Sequence, residues 1–143
     1  MSRASDEWRT PRDLFAALDA EFGFSLDAAA TAENATCSRW LTDALEVDWR
    51  DRAWGDPIWV NPPYSQCAAF IAKAAEESRK GCTVVCLVPA RTDTRWFHAH
   101  IWDQERHRVR PGVEVRFLKG RLKFGDSANS APFPSMVVIF RPR

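Results

Sequence analysis

The near-continuous apolar run Thr83-Val84-Val85-Cys86-Leu87-Val88, met at once by Pro89, constrains this chain more than any other segment. It has the pattern of a strand buried on both faces, and such strands lie in sheets covered by helices above and below. A second apolar run, Ile58-Trp59-Val60, comes before it, and a helical pattern over residues 66–80 lies between the two. That pattern sets Phe70, Ile71 and Ala74 on one face, with Ser65 placed to cap the start and Gly81 to close the end. Strand, helix and strand in this order predict a parallel pair joined by a crossover helix.

The flanking sequence extends the scheme. A first helix is expected to begin at Pro11, with Thr10 as N-cap and Asp13 in the first turn, where a carboxylate suits the helix dipole. Leu14, Phe15, Leu18 and Phe22 recur at helical spacing, and Gly23 ends it. Phe24-Ser25-Leu26-Asp27 is a candidate strand, whereas residues 28–57, polar and rich in tryptophan, show no clear period. Beyond Pro89 the pattern predicts a helix over 96–102 and strands over 113–118, 121–124 and 136–140, the first two joined at Lys119-Gly120 as an edge hairpin. The expected fold is a doubly wound, mostly parallel α/β sheet with an antiparallel hairpin at one edge, forming one domain over residues 1–143. In such sheets ligands bind beyond the carboxyl ends of the strands, where Asp27, Asn61 and Pro89 fall.

Composition narrows the class. The chain is 45% hydrophobic and 27% charged, an ordinary globular balance. No stretch approaches the roughly 18 apolar residues of a membrane span, and the first residues hold no apolar signal core, so a cytosolic protein is expected. Cys37, Cys67, Cys82 and Cys86 lack the C-x-x-C spacing of a zinc site and are expected as buried thiols. His98, His100 and His107 have no ligand spacing either, and no metal is expected. The net charge of +1 hides an asymmetry: residues 1–60 hold 6 basic and 12 acidic side chains, residues 106–143 hold 9 and 2. A basic final third suits a nucleic-acid face or, equally, a solvated tail.

Asn61-Pro62-Pro63-Tyr64 carries the chemistry. The lone pair of an aromatic exocyclic amine is delocalised into its ring, and the nitrogen becomes nucleophilic only as it pyramidalises. Acceptors on its two N–H bonds favour that change. The Asn61 side-chain carbonyl supplies one and the Pro62 backbone carbonyl the other. Pro62 and Pro63 stiffen the turn and so preorganise both acceptors, while Tyr64 offers a face on which an extruded base can stack. The plain alternative is a proline-rich turn with Tyr64 packed in the core.

With these residues in view, the chain resembles the phage-type Dam family of DNA adenine-N6 methyltransferases. The resemblance rests on an ordered set of blocks: Trp8-Arg9-Thr10-Pro11, Leu26-Asp27-Ala28-Ala29-Ala30, Asn34-Ala35, Asp48-Trp49, Trp59-Val60-Asn61-Pro62-Pro63-Tyr64-Ser65, Leu87-Val88-Pro89-Ala90-Arg91-Thr92-Asp93-Thr94 and Gly120-Arg121-Leu122-Lys123-Phe124. It implies a Rossmann-like methyltransferase sheet, S-adenosylmethionine as donor, double-stranded DNA as partner and adenine N6 as target, with direct in-line transfer. It also implies a phage or prophage protein acting in a bacterial cytoplasm. Carried over by position, Asn61, Pro62, Pro63 and Tyr64 are the catalytic motif. Thr10 and Pro11 would touch the methionine end of the cofactor, Asp27 and Ala28 lie beside it, and Asp48 would meet its ribose or adenine with Trp49 as a packing surface. Two departures stand out: Leu26-Asp27-Ala28-Ala29-Ala30 has no glycine where many methyltransferases have a glycine-rich loop, and no separate target-recognition domain is expected.

Arg91-Thr92-Asp93-Thr94-Arg95-Trp96 is either a wall against DNA, through Arg91 and Thr94, or a capped helix start, and the two are compatible. Arg116, Lys119, Arg121 and Lys123 suit a phosphate backbone, and residues 125–134 suit a mobile loop that orders on DNA. The competing readings keep the fold but change the role, to methylation of RNA base amines or protein glutamine, or to a non-catalytic DNA-binding relative.

Overall fold

The computed structural model describes residues 10–31, 34–53, 57–123 and 131–142. Its elements in order are α1 (Arg12–Phe22), β1 (Leu26–Asp27), α2 (Arg50–Ala53), β2 (Ile58–Val60), α3 (Cys67–Arg79), β3 (Val84–Pro89), α4 (Arg95–His100), β4 (Trp102–Asp103), β5 (Arg108–Val109), β6 (Val113–Phe117) and β7 (Ser135–Phe140). Single turns of 3-10 helix at Ala44–Glu46 and Tyr64–Gln66 precede α2 and α3.

One mixed sheet runs in the order β1-β2-β3-β7-β6. β1, β2 and β3 are parallel, in register through Leu26 with Ile58 and Ile58 with Val84. β7 is antiparallel to both β3 and β6. β3 and β7 are buried along their whole length, as the apolar run at 83–88 predicts. The two sheet faces hold separate cores. Phe70, Ile71 and Ala74 of α3 and Phe97 of α4 pack with Ile58, Val60, Val84 and Cys86 on one face. On the other, Leu18 of α1, with Ala131 and Phe133, covers Trp59, Val85, Leu87 and Val137. Alternation along each strand sends successive residues to opposite cores.

The edge hairpin differs from its expected form. β6 pairs with β7, and of the expected strand 121–124 Arg121, Leu122 and Lys123 form no strand, while Phe124 lies outside the described residues. β7 brings six residues buried on both faces, whereas Arg121 and Lys123 are both exposed cations, so burial favours the β7 pairing. α4 ends at His100 rather than 102, because Trp102 and Asp103 pair with Val109 and Arg108. α1 begins after Pro11, which is the N-cap and gives no side-chain bond. Ser65 sits inside the turn before α3, whose N-cap is Gln66.

The aperiodic segment 28–57 is held by buried polar bonds instead of a repeating apolar face. Glu77 of α3 is fully buried; its carboxylate accepts from the Trp49 backbone N–H at 3.1 Å and pairs with Lys73 at 2.9 Å. Trp49 is itself fully buried, its indole N–H donating to the Ala44 carbonyl at 2.8 Å. Cys67, Cys82 and Cys86 are buried free thiols and Cys37 is half-buried; burial pushes the Cys67 thiol up to about 12. No described helix is long and apolar enough to cross a membrane, and no described cluster of His, Cys, Asp or Glu could hold a metal ion.

Candidate active site

β2 delivers Asn61 to the carboxyl end of the parallel strands, and Pro62 and Pro63 carry the chain into the Tyr64–Gln66 turn. The Asn61 side-chain amide donates from Nδ2 to Thr10 Oγ1 at 3.0 Å. Thr10 is not the helix cap, which is Pro11: its hydroxyl reaches across to Asn61 from the entrance of α1. With Nδ2 turned toward Thr10, the planar amide turns Oδ1 the opposite way, as an acceptor for an amine requires.

Asn61 and Pro62 lie between two clefts. On one side is a cavity of about 180 Å³ whose lining includes Thr10, Asp27, Ala28, Asn61, Pro62 and Pro63. Sequence reading assigned these six to the site, and the fold brings them together. Thr31, Thr42, Gln66 and Phe70 also line it and were missed, since none belongs to a chemically distinctive pattern; Asn34, which the Asn34-Ala35 block singles out without a role, lines it too. Asp27 is only 3% exposed. Its carboxylate accepts from Thr36 N at 3.0 Å, Thr36 Oγ1 at 2.8 Å and Ala29 N at 3.2 Å. Burial raises its pKa above the usual carboxylate value and outweighs the opposing bonds from Thr36 and Ala29. Asp27 thus ties Ala29 and Thr36 together as well as lining the cavity.

On the other side a narrow cleft of about 10 Å³ lies among Asn61, Pro62, Tyr64, Val88, Pro89 and Phe133. Tyr64 stacks on Phe133 with 5.2 Å between centroids and 7° between planes, and the Arg91 guanidinium lies 4.9 Å from the Tyr64 ring. Arg91 is thereby placed against the motif. Phe133 was not foreseen: it falls in 125–134, expected to be a mobile loop, yet Ala131 and Phe133 are buried in the core under α1. Residues 125–130 lie outside the described residues.

Other assignments fall elsewhere. Asp48 and Trp49 do not line the cavity. Asp48 is exposed and pairs with Lys80 at 2.8 Å. Trp49 cannot serve as a packing surface for a ligand because its ring is wholly inside the core. The Thr94 hydroxyl caps α4, accepting from Phe97 N at 3.3 Å and donating to Arg91 O at 2.8 Å. Arg116 does not face an open phosphate track, since it forks onto both oxygens of Glu21 at 2.7 Å and pairs with Glu114. Arg121 is exposed and donates to the Pro132 carbonyl at 3.2 Å; Lys123 is exposed. Trp8 and Arg9 lie outside the described residues.

The chain is 38% identical over 95 residues to a DNA N-6-adenine-methyltransferase of Escherichia phage T1, covering 64% of this chain and 39% of that protein. A DNA N-6-adenine-methyltransferase of Haemophilus phage HP1 (strain HP1c1) is 27% identical over 144 residues, covering 96% of this chain and 80% of that protein. The chain thus spans about two-fifths of the phage T1 relative's length and four-fifths of the phage HP1 relative's. The model of the family described as DNA N-6-adenine-methyltransferase (Dam) matches residues 1–143, and the chain belongs to that family.

Proposed function

We propose that this chain methylates the exocyclic N6 amine of an adenine turned out of duplex DNA, with S-adenosylmethionine as donor. The observation that carries the reading is the placement of Asn61: oriented by Thr10, it stands between a polar cavity and an aromatic cleft. In direct transfer the amine lone pair must face the methyl donor, so a residue that borders both spaces can hold the amine while leaving that path open.

The cavity suits part of such a donor. Ala28, Ala29 and Ala30 bring nothing larger than a methyl group to its wall, which offsets the missing glycines. Thr31, Asn34, Thr42 and Gln66 supply neutral polar groups for an amino acid or a ribose. At about 180 Å³ it is smaller than the roughly 300 Å³ at which drug-sized pockets begin, so the rest of the donor would lie along the open rim. The donor would contribute an electrophilic methyl group on a sulfonium, whose sulfur would leave as a neutral thioether as the N–C bond forms. The protein holds the amine: Asn61 Oδ1 and the Pro62 carbonyl accept its two N–H bonds, freeing the lone pair toward the cavity. Once alkylated, the amine is strongly acidic and releases its proton to water. Tyr64 stacks the base, and Arg91, Arg121 and Lys123 meet phosphates.

The sheet, parallel at its start and covered on both faces, supports a Rossmann-like methyltransferase fold acting as a single catalytic unit. The phage relatives support action in the cytoplasm of a bacterial host. Mass spectrometry of nucleosides from duplex DNA incubated with S-adenosylmethionine tests the reading. N6-methyladenine formed by the native protein and lost in Asn61→Ala is expected. Cofactor binding without any DNA product, alongside product on RNA or protein glutamine, would overturn it.

A further inference from the structure

β6 ends on Phe117, which at 65% exposure is the most open large hydrophobic side chain among the described residues, ahead of Trp40 at 40%. Its place in the sheet is fixed by register. Phe117 pairs with Met136 and Met136 with Val88, so Phe117 stands level with Val88, one of the residues that line the Tyr64 cleft. Two interstrand steps of about 4.8 Å set it roughly 10 Å from β3, on the same end of the sheet as Asn61. Val113 and Val115, on the same side of the strand, pack against the core under α3 and α4. Phe117 continues that row past the edge of the core.

The sequence after it is wholly cationic in its charges. Lys119, Arg121 and Lys123 follow, all exposed, with no acidic residue between Phe117 and Lys123. Arg121 commits one Nη to the Pro132 carbonyl and keeps further donors for a phosphate. An exposed aromatic ring beside a row of cations complements a polyanion with an apolar interior, which describes duplex DNA. A protein partner would more often meet an apolar patch with mixed charges.

Resting on the reading that this chain methylates extruded adenine, we propose that Phe117 is a wedge that enters the base stack of the duplex beside the extruded nucleotide, with Lys119 and Lys123 on flanking phosphates. Extrusion leaves a gap, and an apolar side chain that fills it keeps the neighbouring pairs from closing again.

A wedge is needed only where there is a stack to hold open. Methylation by Phe117→Ala and Phe117→Trp should be compared on duplex and on single-stranded DNA of one sequence, with duplex affinity measured across a salt series. Phe117→Ala is expected to lose roughly tenfold or more in kcat/KM on the duplex and to stay within about twofold on the single strand. Phe117→Trp should keep the duplex activity. Lys119→Ala and Lys123→Ala should each lower the salt slope of duplex binding by about one, while Phe117→Ala leaves it unchanged. Equal losses on both substrates, or an unchanged duplex rate, would overturn the wedge while leaving the function standing. So would a change in oligomeric state with intact DNA activity, which would mark Phe117 as a protein contact. A native protein that methylates neither form would overturn the function and the wedge with it.

Discussion

Tyr64 and Phe133 lie ring on ring, 5.2 Å apart and within 7° of parallel, and the Arg91 guanidinium rests 4.9 Å from the same tyrosine ring. The cleft beside them, about 10 Å³, is too small for a purine, so one of Tyr64's two companions must yield to an incoming base. Phe133 is buried in the core under α1 and would lose about 1.5–3 kcal/mol of burial by leaving. Arg91 is exposed, and an exposed cation–π contact is worth only about 0.5–1 kcal/mol. On the proposed stacking role of Tyr64, Arg91 is therefore the group expected to yield. Tyr64→Phe should keep near-native activity, because the ring and not the hydroxyl stacks. Tyr64→Ala should lower kcat/KM by about 5–150-fold, the equivalent of a stacking energy of about 1–3 kcal/mol. Steady-state kinetics on duplex DNA checks both, and a large loss in Tyr64→Phe would refute the stacking role.

The Thr10–Asn61 bond predicts a loss confined to the chemical step. Thr10→Val keeps the shape but removes the acceptor that orients the amide, so a net hydrogen bond of about 1.4 kcal/mol becomes roughly tenfold in kcat, with KM for DNA nearly unchanged. Thr10→Ser should restore it. Asn61→Ala, which deletes the acceptor itself, should cost about 10²–10³-fold. A rise in KM for the methyl donor alone in Thr10→Val would assign Thr10 to the cofactor and not to Asn61.

What was readable in the sequence divides along physical lines. The central strands and α3 were legible because their burial is periodic or continuous over several residues, as in Val84 to Val88 and Phe70, Ile71 and Ala74. The position of the Asn61-Pro62-Pro63-Tyr64 turn at the end of β2 was legible because the turn chemistry is local to those four residues. What failed depends on partners distant in the chain. Nothing near Phe133 marks it as the neighbour of Tyr64, and Thr10 satisfies the ordinary pattern of an N-cap while its hydroxyl serves Asn61. Trp49, expected at the cofactor, is buried in the core formed with α3 and the sheet, partners remote in sequence. The hairpin went astray because Arg121-Leu122-Lys123 alternates polar and apolar residues as a half-buried strand does, whereas the actual pairing of β6 with β7 is decided by burial.

The two fully buried tryptophans should respond differently to the same substitution. The Trp49 indole N–H is satisfied by the Ala44 carbonyl, whereas that of Trp59 has no hydrogen-bond partner among the described residues. Trp49→Phe removes a donor and leaves a buried carbonyl unpaired, a penalty of about 1–3 kcal/mol beyond the lost ring volume. Trp59→Phe loses similar volume but relieves an unsatisfied buried donor. Trp49→Phe is expected to be the more destabilising by at least about 1 kcal/mol. Urea denaturation at matched m-values decides it, and equal shifts in midpoint would count against the reading of Trp59.

Asp27 gives the site a dependence on pH that its partners do not. Burial raises its carboxyl above the ordinary value of 3.8, with the Thr36 and Ala29 bonds pulling the other way. A raised folded pKa means that the protonated form is favoured by folding. The stability it contributes is full below the ordinary carboxylate range and declines as pH rises through the raised folded value. Asp27→Asn cannot ionise, though it loses one carboxylate oxygen and with it part of the anchoring of Thr36 and Ala29. The stability advantage of the native protein over Asp27→Asn should therefore be largest near about pH 4 and shrink toward about pH 7. Chemical denaturation of both proteins across that range measures it. An advantage that grows with pH would mean that the hydrogen bonds to the ionised carboxylate outweigh its burial, and that Asp27 is held as an anion at the rim of the cavity.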